Sequence, residues 1–105
     1  LRTRRQRQMC IRDSYWVAKA NINNNKKLES YALLAEKVVK KYNGSFIVRG
    51  GEQITTEGEC FSRNVVVEFP SYEIAIQAYH SKEYQEALEV LGDGADRKYA
   101  IVKGC

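Results

Sequence analysis

Tyr42-Asn43-Gly44-Ser45-Phe46-Ile47-Val48-Arg49-Gly50-Gly51 and, after a polar interval, Val65-Val66-Val67-Glu68-Phe69-Pro70-Ser71 decide the fold of this chain. Asn43-Gly44 closes a helix, because glycine takes the left-handed conformation at little cost. Phe46 to Arg49 then reads as a short strand broken by Gly50-Gly51. Arg63 to Phe69 is a β-branched run suited to a central strand. Pro70 cannot donate to a ladder and stops it. Ser71 caps a following helix, with Glu73 at the positive end of its dipole.

Outward from this block the pattern is equally legible. Tyr15 to Ile22 alternates, so Trp16, Ala18, Ala20 and Ile22 share one face of a strand. Asn23-Asn24-Asn25 is a turn that supplies a helix cap. Leu28, Tyr31, Ala32, Ala35, Val38, Val39 and Tyr42 recur at three and four residues, an amphipathic helix. Glu36 and Lys40 add an i,i+4 pair on its outer side. Ile74, Ala75, Ala78 and Tyr79 begin another apolar stripe. Tyr84, Ala87, Leu88 and Leu91 do not continue its phase, so a break is expected near Ser81. Gly92-Asp93-Gly94 is a loop and Tyr99 to Lys103 a last strand. The order βαββαβ predicts an α+β, ferredoxin-like domain: a four-stranded antiparallel sheet with two helices on one face.

The formal charge of +4 suggests nucleic acid, but its location does not. Five of the 17 basic residues and one of the 13 acids lie in residues 1–14, leaving twelve of each in the rest. A basic footprint needs clustering on the folded surface, so no nucleic-acid partner is expected. No apolar run approaches the ~18 residues of a membrane span, and no apolar core follows the N-terminal arginines, so neither membrane nor secretion is expected. Cys10, Cys60 and Cys105 lack disulfide or zinc spacing and read as free thiols of a cytoplasmic protein. No metal and no cofactor is expected.

Arg5 to Ser14, Arg-Gln-Arg-Gln-Met-Cys-Ile-Arg-Asp-Ser, resembles translated sequencing-adapter read-through. Residues 1–14 are therefore expected to be a disordered tail foreign to the natural protein, and residues 15–105 a single domain. Cys105 directly follows a strand and a glycine, which suggests a clipped end.

Two helices cover one sheet face. Trp16, Ala18, Ala20, Val65, Val67 and Phe69 fit the covered side. Tyr15, Val17, Lys19, Val66 and Glu68 fall on the other. Arg49 and either Lys103 or Val102 join them, depending on register. The Val and Tyr content of that second face predicts cover by a second copy of the chain.

Few residues carry chemistry. Arg49 before two glycines suits a carboxylate, with the glycines admitting a ligand to the backbone; alternatively Arg49 pairs with an acid such as Glu68 and the glycines form a bulge. His80 is the sole histidine and an acid–base candidate at a helix end, or simply an exposed helix terminus. Glu68 beside Lys19 is either an acid–base pair in a closed interior or an ion pair. Tyr15, Tyr31, Tyr79 and Tyr84 line a pocket or belong to the core. Ser71 and Ser81 are helix caps, without the Gly-x-Ser-x-Gly context of a nucleophile. Gly50-Gly51 is too short for a phosphate loop.

Tyr15-Trp16-Val17-Ala18-Lys19-Ala20, Lys41-Tyr42-Asn43-Gly44, Val48-Arg49-Gly50-Gly51, Arg63 to Ser71 and Ala78 to Gln85 occur in an order and spacing that resembles the family called domain of unknown function 1330. The resemblance runs over residues 15–104. It implies a homodimeric α/β-barrel and supplies no established substrate. Architectures of this kind serve small monooxygenases, isomerases and stress-response proteins. The chain departs from the family pattern at Asn43, usually Gly, and at Leu91-Gly92, where relatives often carry Arg.

Together these readings predict a protein that binds a small anion or organic acid in a cleft between sheet and helices, with Arg49, Tyr15, Lys19 and Tyr84 as binding residues. One alternative is a cofactor-independent monooxygenase- or isomerase-like enzyme using His80 and Glu68. Another is a structural or regulatory dimer without ligand.

Overall fold

The computed structural model describes residues 13–104, so the expectation for the tail lies, except for Asp13 and Ser14, outside the described residues. Strand β1 (Ser14–Ile22) starts one residue earlier than expected, and Ser14 is buried. Helix α1 (Asn25–Lys41) is capped by the Asn24 side chain, which accepts from the Lys27 amide. Strands β2 (Ser45–Arg49) and β3 (Arg63–Phe69) follow, then α2 (Tyr72–His80), α3 (Lys82–Leu91) and β4 (Ala95–Lys103). The sheet order is β2-β3-β1-β4 with every neighbouring pair antiparallel. This is the ferredoxin-like α+β arrangement.

Three helices stand where two were expected. The phase change at Ser81 is a complete break: its hydroxyl donates to the Ala78 carbonyl at 2.7 Å and accepts from the Tyr84 amide at 3.2 Å. One serine thus ends α2 and starts α3. The end of α1 also differs from expectation. Asn43 takes the left-handed conformation, with φ 63°. Gly44 is needed for closeness instead: a Cβ there would lie 2.8 Å from the Phe69 ring and 3.0 Å from Val39. Strand β4 begins four residues before Tyr99, because the charged run Asp96-Arg97-Lys98 pairs with Asn21, Ala20 and Lys19 of β1.

Trp16 is the centre of the core. It is 2 % exposed, its Nε1 donates to the Ala75 carbonyl at 2.9 Å, and its ring lies 4.7 Å from Phe69 and 4.8 Å from Tyr84. Helix α2 lies across β1, β4 and β3, while α1 packs chiefly along α3. The face bearing Trp16, Ala18 and Ala20 is the covered one, as the alternation predicts.

The opposite face carries Tyr15, Val17, Lys19, Asn64, Val66, Glu68 and Val102 by the same register. Val102, opposite Tyr15, joins this face; Lys103, opposite Ser14, does not. The loop between β2 and β3 folds over one end of it. Glu59 reaches Lys98 at 3.5 Å, and Phe61 is buried beneath the same lysine. Among the described residues no helix is long and apolar enough to cross a membrane.

Candidate functional site

A bulge in β2 determines which side Arg49 serves. Phe46 pairs with Val67, but Val48 pairs with Val66, so Ile47 is an extra residue between them. Regular alternation from Phe46 would put Arg49 on the open face. The inserted residue reverses the phase, and Arg49 falls opposite Val65 on the helix side. Re-aiming a side chain is a characteristic effect of a bulge. The guanidinium lies over the Phe46 ring at 4.2 Å and donates to Glu36 of α1 at 2.9 Å. The partner acid is therefore Glu36 and not Glu68.

Between α1 and the sheet lies a cleft with a cavity volume of about 70 Å³. Its existence follows from small side chains on both walls. Ala18 and Ala20 line it from β1, Ala32 and Ala35 from α1, with Trp16, Leu28, Val39, Val65 and Val67 completing an apolar interior. Such space is on the scale of a short acyl chain or a single small ring. Three arginines share its lining: Arg49, Arg63 and Arg97. Only Arg49 has a carboxylate partner among the described residues.

Arg97 is held by aromatic residues. Its Nη1 donates to the Tyr31 hydroxyl at 3.1 Å, and its guanidinium lies 5.2 Å and 5.0 Å from the Tyr31 and Tyr99 ring centroids. The hydroxyls of Tyr31 and Tyr84 are 2.6 Å apart, and Tyr84 donates to Tyr99 at 3.3 Å. Proton order follows from the inventory of donors. A guanidinium only donates and a phenol has one proton. Tyr31 accepts from Arg97 and gives its proton to Tyr84, which gives its own to Tyr99. Burial, then the neighbouring Tyr84 oxygen, pushes the Tyr31 hydroxyl far above the ordinary phenol value, and the same two causes raise Tyr99. Both stay protonated at neutral pH and serve as hydrogen-bonding groups, not bases.

The expected site residues divide by face. Arg49 lines the cleft. Tyr84 is fully buried one layer behind it, joined to the lining residues Tyr31 and Tyr99. Tyr15, Lys19 and Glu68 lie on the other side of the sheet. Glu68 is opposite Tyr15, and Lys19 is opposite Asn64, four residues further along β1, so the two are not neighbours. His80 ends α2, exposed, with its ring edge-on to Tyr79 at 5.4 Å and away from the cleft lining. The sequence reading overlooked Arg63 and Arg97. The signal for Arg63 was present: it is in phase with Val65, Val67 and Phe69, a charge on the covered face. Among the described residues no group of three or more His, Cys, Asp or Glu is placed to hold a metal ion.

Fold and cleft define a small ferredoxin-like α+β protein with a basic-rimmed pocket between helix and sheet. The chain belongs to the family described as Domain of unknown function (DUF1330), whose model matches residues 13–105. No curated protein matches the sequence. Among solved structures, a protein of unknown function from Rhodopseudomonas palustris is similar with a TM-score of 0.73 at 14% identity, over 91% of this chain and 85% of that one. SnoaB, a cofactor-independent oxygenase from Streptomyces nogalater, gives 0.61 at 9% identity over 90% and 94%. A dimeric ferredoxin-like protein of unknown function from Thermobifida fusca gives 0.59 at 12% over 88% and 91%. At these identities the likeness is one of fold.

Proposed function

We propose that this protein is a cytoplasmic homodimer that binds a small organic acid in the cleft between α1 and the sheet. The observation that carries the reading is the imbalance of charge: three guanidiniums line an apolar cavity, and one carboxylate, Glu36, answers them. Partly desolvated cations favour an anionic ligand, and the alanines give its apolar body room. The dimer rests on the open face, where Val48 and Val102 are exposed beside Val17 and Val66, and on the dimeric state named for a structural relative.

The enzyme alternative draws on SnoaB, named as a cofactor-independent oxygenase. The cleft lining favours binding over acid–base catalysis. Among the described residues it includes no histidine or carboxylate, and its two tyrosines are held protonated. Mass spectrometry of metabolites copurified with the protein, paired with an Ala35→Phe variant that fills the cavity, tests the reading. An organic acid recovered with the wild type and lost from the variant is expected. Equal recovery from both would overturn it.

A further inference from the structure

Only one of the three cleft arginines is free to recognise an incoming anion. Arg49 is occupied twice, by Glu36 at 2.9 Å and by the Phe46 ring. Arg97 is fixed by the Tyr31 hydroxyl and two rings. Arg63 has neither an acid nor a ring partner among the described residues, yet it is half-buried in the cleft lining. Arg63 thus brings a positive charge to the apolar cleft with no acid among the described residues to answer it.

Its setting suits recognition. Arg63 is opposite Ala20, on the same sheet face as the cavity. The alanine methyl leaves space before the guanidinium that a larger residue would fill. On the other side the head rests on Gly50: a Cβ added there would lie 3.1 Å from Arg63 Nη1. Gly50 has φ +76°, so the turn out of β2 favours glycine, and the missing side chain leaves room for the guanidinium beside it. Arg97 is opposite Ala20 from the other neighbouring strand, so the alanine lies between two cations in one row.

We infer that Arg63, not Arg49, is the carboxylate-binding residue of the cleft, and that its ligand is a monocarboxylic acid with a short acyl or single-ring body. The inference rests on the cleft being a binding site. The carboxylate meets the planar fork of Arg63 above Ala20. The apolar body runs along Ala18 between Ala32 and Ala35. Arg97 adds positive potential from the far side, and the Arg49–Glu36 pair closes the mouth without holding the ligand.

Trp16, the sole tryptophan, lines the cleft and reports occupancy by its fluorescence. The experiment titrates the full chain with benzoate, neutral benzamide and inorganic phosphate, monitored by Trp16 emission and calorimetry. Arg63→Gln is expected to weaken benzoate at least ~20-fold and leave benzamide unchanged; Arg63→Lys recovers part of the loss, because an ammonium lacks the fork. Arg49→Gln is expected to change benzoate affinity by less than ~3-fold, its charge being already spent on Glu36. Thermal melts of Arg63→Gln should match the wild type, since that side chain has no acid or ring partner among the described residues to lose. Benzoate bound equally by wild type and Arg63→Gln, but lost in Ala35→Phe, would overturn the assignment while leaving the cleft reading standing. Loss in Arg49→Gln instead would return the role to Arg49. Phosphate bound as well as benzoate would remove the apolar body from the ligand class. Binding of none of the three probes by the wild type would remove both the assignment and the cleft reading.

Discussion

The two faces of the sheet are built from the same strands and differ in what meets them. On one, α2 packs over Trp16 and Phe69, and α1 stands off far enough to leave a cavity that Trp16 and Val67 also line. On the other, Val17, Val48, Val66 and Val102 share the surface with Lys19, Asn64 and Glu68, and the loop carrying Glu59 and Phe61 lies over one end of it. The first face carries three arginines and answers one with an acid: Arg49 pairs with Glu36, Arg97 is held by the neutral Tyr31, and Arg63 has no acid partner among the described residues. The second keeps hydrophobic side chains next to charged ones. A mixed surface of this kind fits the self-contact proposed above, in which a two-fold axis would set the same patch of both subunits against itself.

The sharpest way to break this contrast is to damage the helix-covered face. Trp16→Ala removes the ring packed against Phe69 and Tyr84 and the indole hydrogen bond to the Ala75 carbonyl. The expected loss is about 3–5 kcal/mol of unfolding free energy, the usual range for a large aromatic in a packed core. Urea denaturation measures it. A loss under 1 kcal/mol would mean that the helix face is not the stabilising one.

The open face should respond in assembly. Val66→Glu places a second acid near Glu68 on the proposed contact, where an uncompensated buried charge costs about 3 kcal/mol or more. Sedimentation should show wild-type dimers and variant monomers, with helical content retained by circular dichroism. A wild-type chain that sediments as a monomer at micromolar concentration would end the dimer proposal.

How much of this contrast was legible beforehand depends on whether a feature is local. The covered set Trp16, Ala18, Ala20, Val65, Val67 and Phe69 followed from period-two alternation, and the break at Ser81 from a change of helical phase. Both signals lie within one element. The side of the sheet that Arg49 serves did not follow, because a bulge is a mismatch between two strands and neither strand records it alone. The early start of β4 was masked in another way. Asp96-Arg97-Lys98 has the composition of a loop, and only pairing with β1 turns Arg97 toward the cleft. Asn43 and Gly44 exchanged roles for a third reason, the approach of the Phe69 ring from elsewhere in the chain. The apolar body of the cleft was thus readable, while its charged rim depended on register.

A smaller effect sharpens the reading of Arg49. Its ion pair with Glu36 is well formed, but both side chains are 38% exposed, so solvent screens it. Arg49→Ala should therefore cost less than about 1 kcal/mol of stability, with the Phe46 contact included. Thermal unfolding distinguishes this from a buried pair, whose breakage costs about 3–5 kcal/mol. A loss of that larger size would make Arg49 a structural pillar and not a latch at the cleft mouth.

The smallest signal is a titration at Glu36. The hydrogen bond from Arg49, then the Arg49 charge, then that of Lys40, hold the Glu36 carboxyl below its ordinary value. A depressed carboxylate contributes its stabilisation in full above the unfolded-state pKa and loses it as pH falls through the lower folded-state value. The Arg49–Glu36 pair therefore stays formed at neutral pH and is lost only on the acid side of the ordinary glutamate range. Carbon-detected NMR of the side-chain carboxyl should place the Glu36 midpoint below that of an unpaired glutamate. Arg49→Gln should move it upward, since the two largest causes both reside in Arg49, whereas Lys40→Gln should move it less. An unchanged midpoint in Arg49→Gln would show that the pair does not persist in solution. The mouth of the cleft would then carry three uncompensated guanidiniums instead of two, and Arg49 would compete with Arg63 for the same anion.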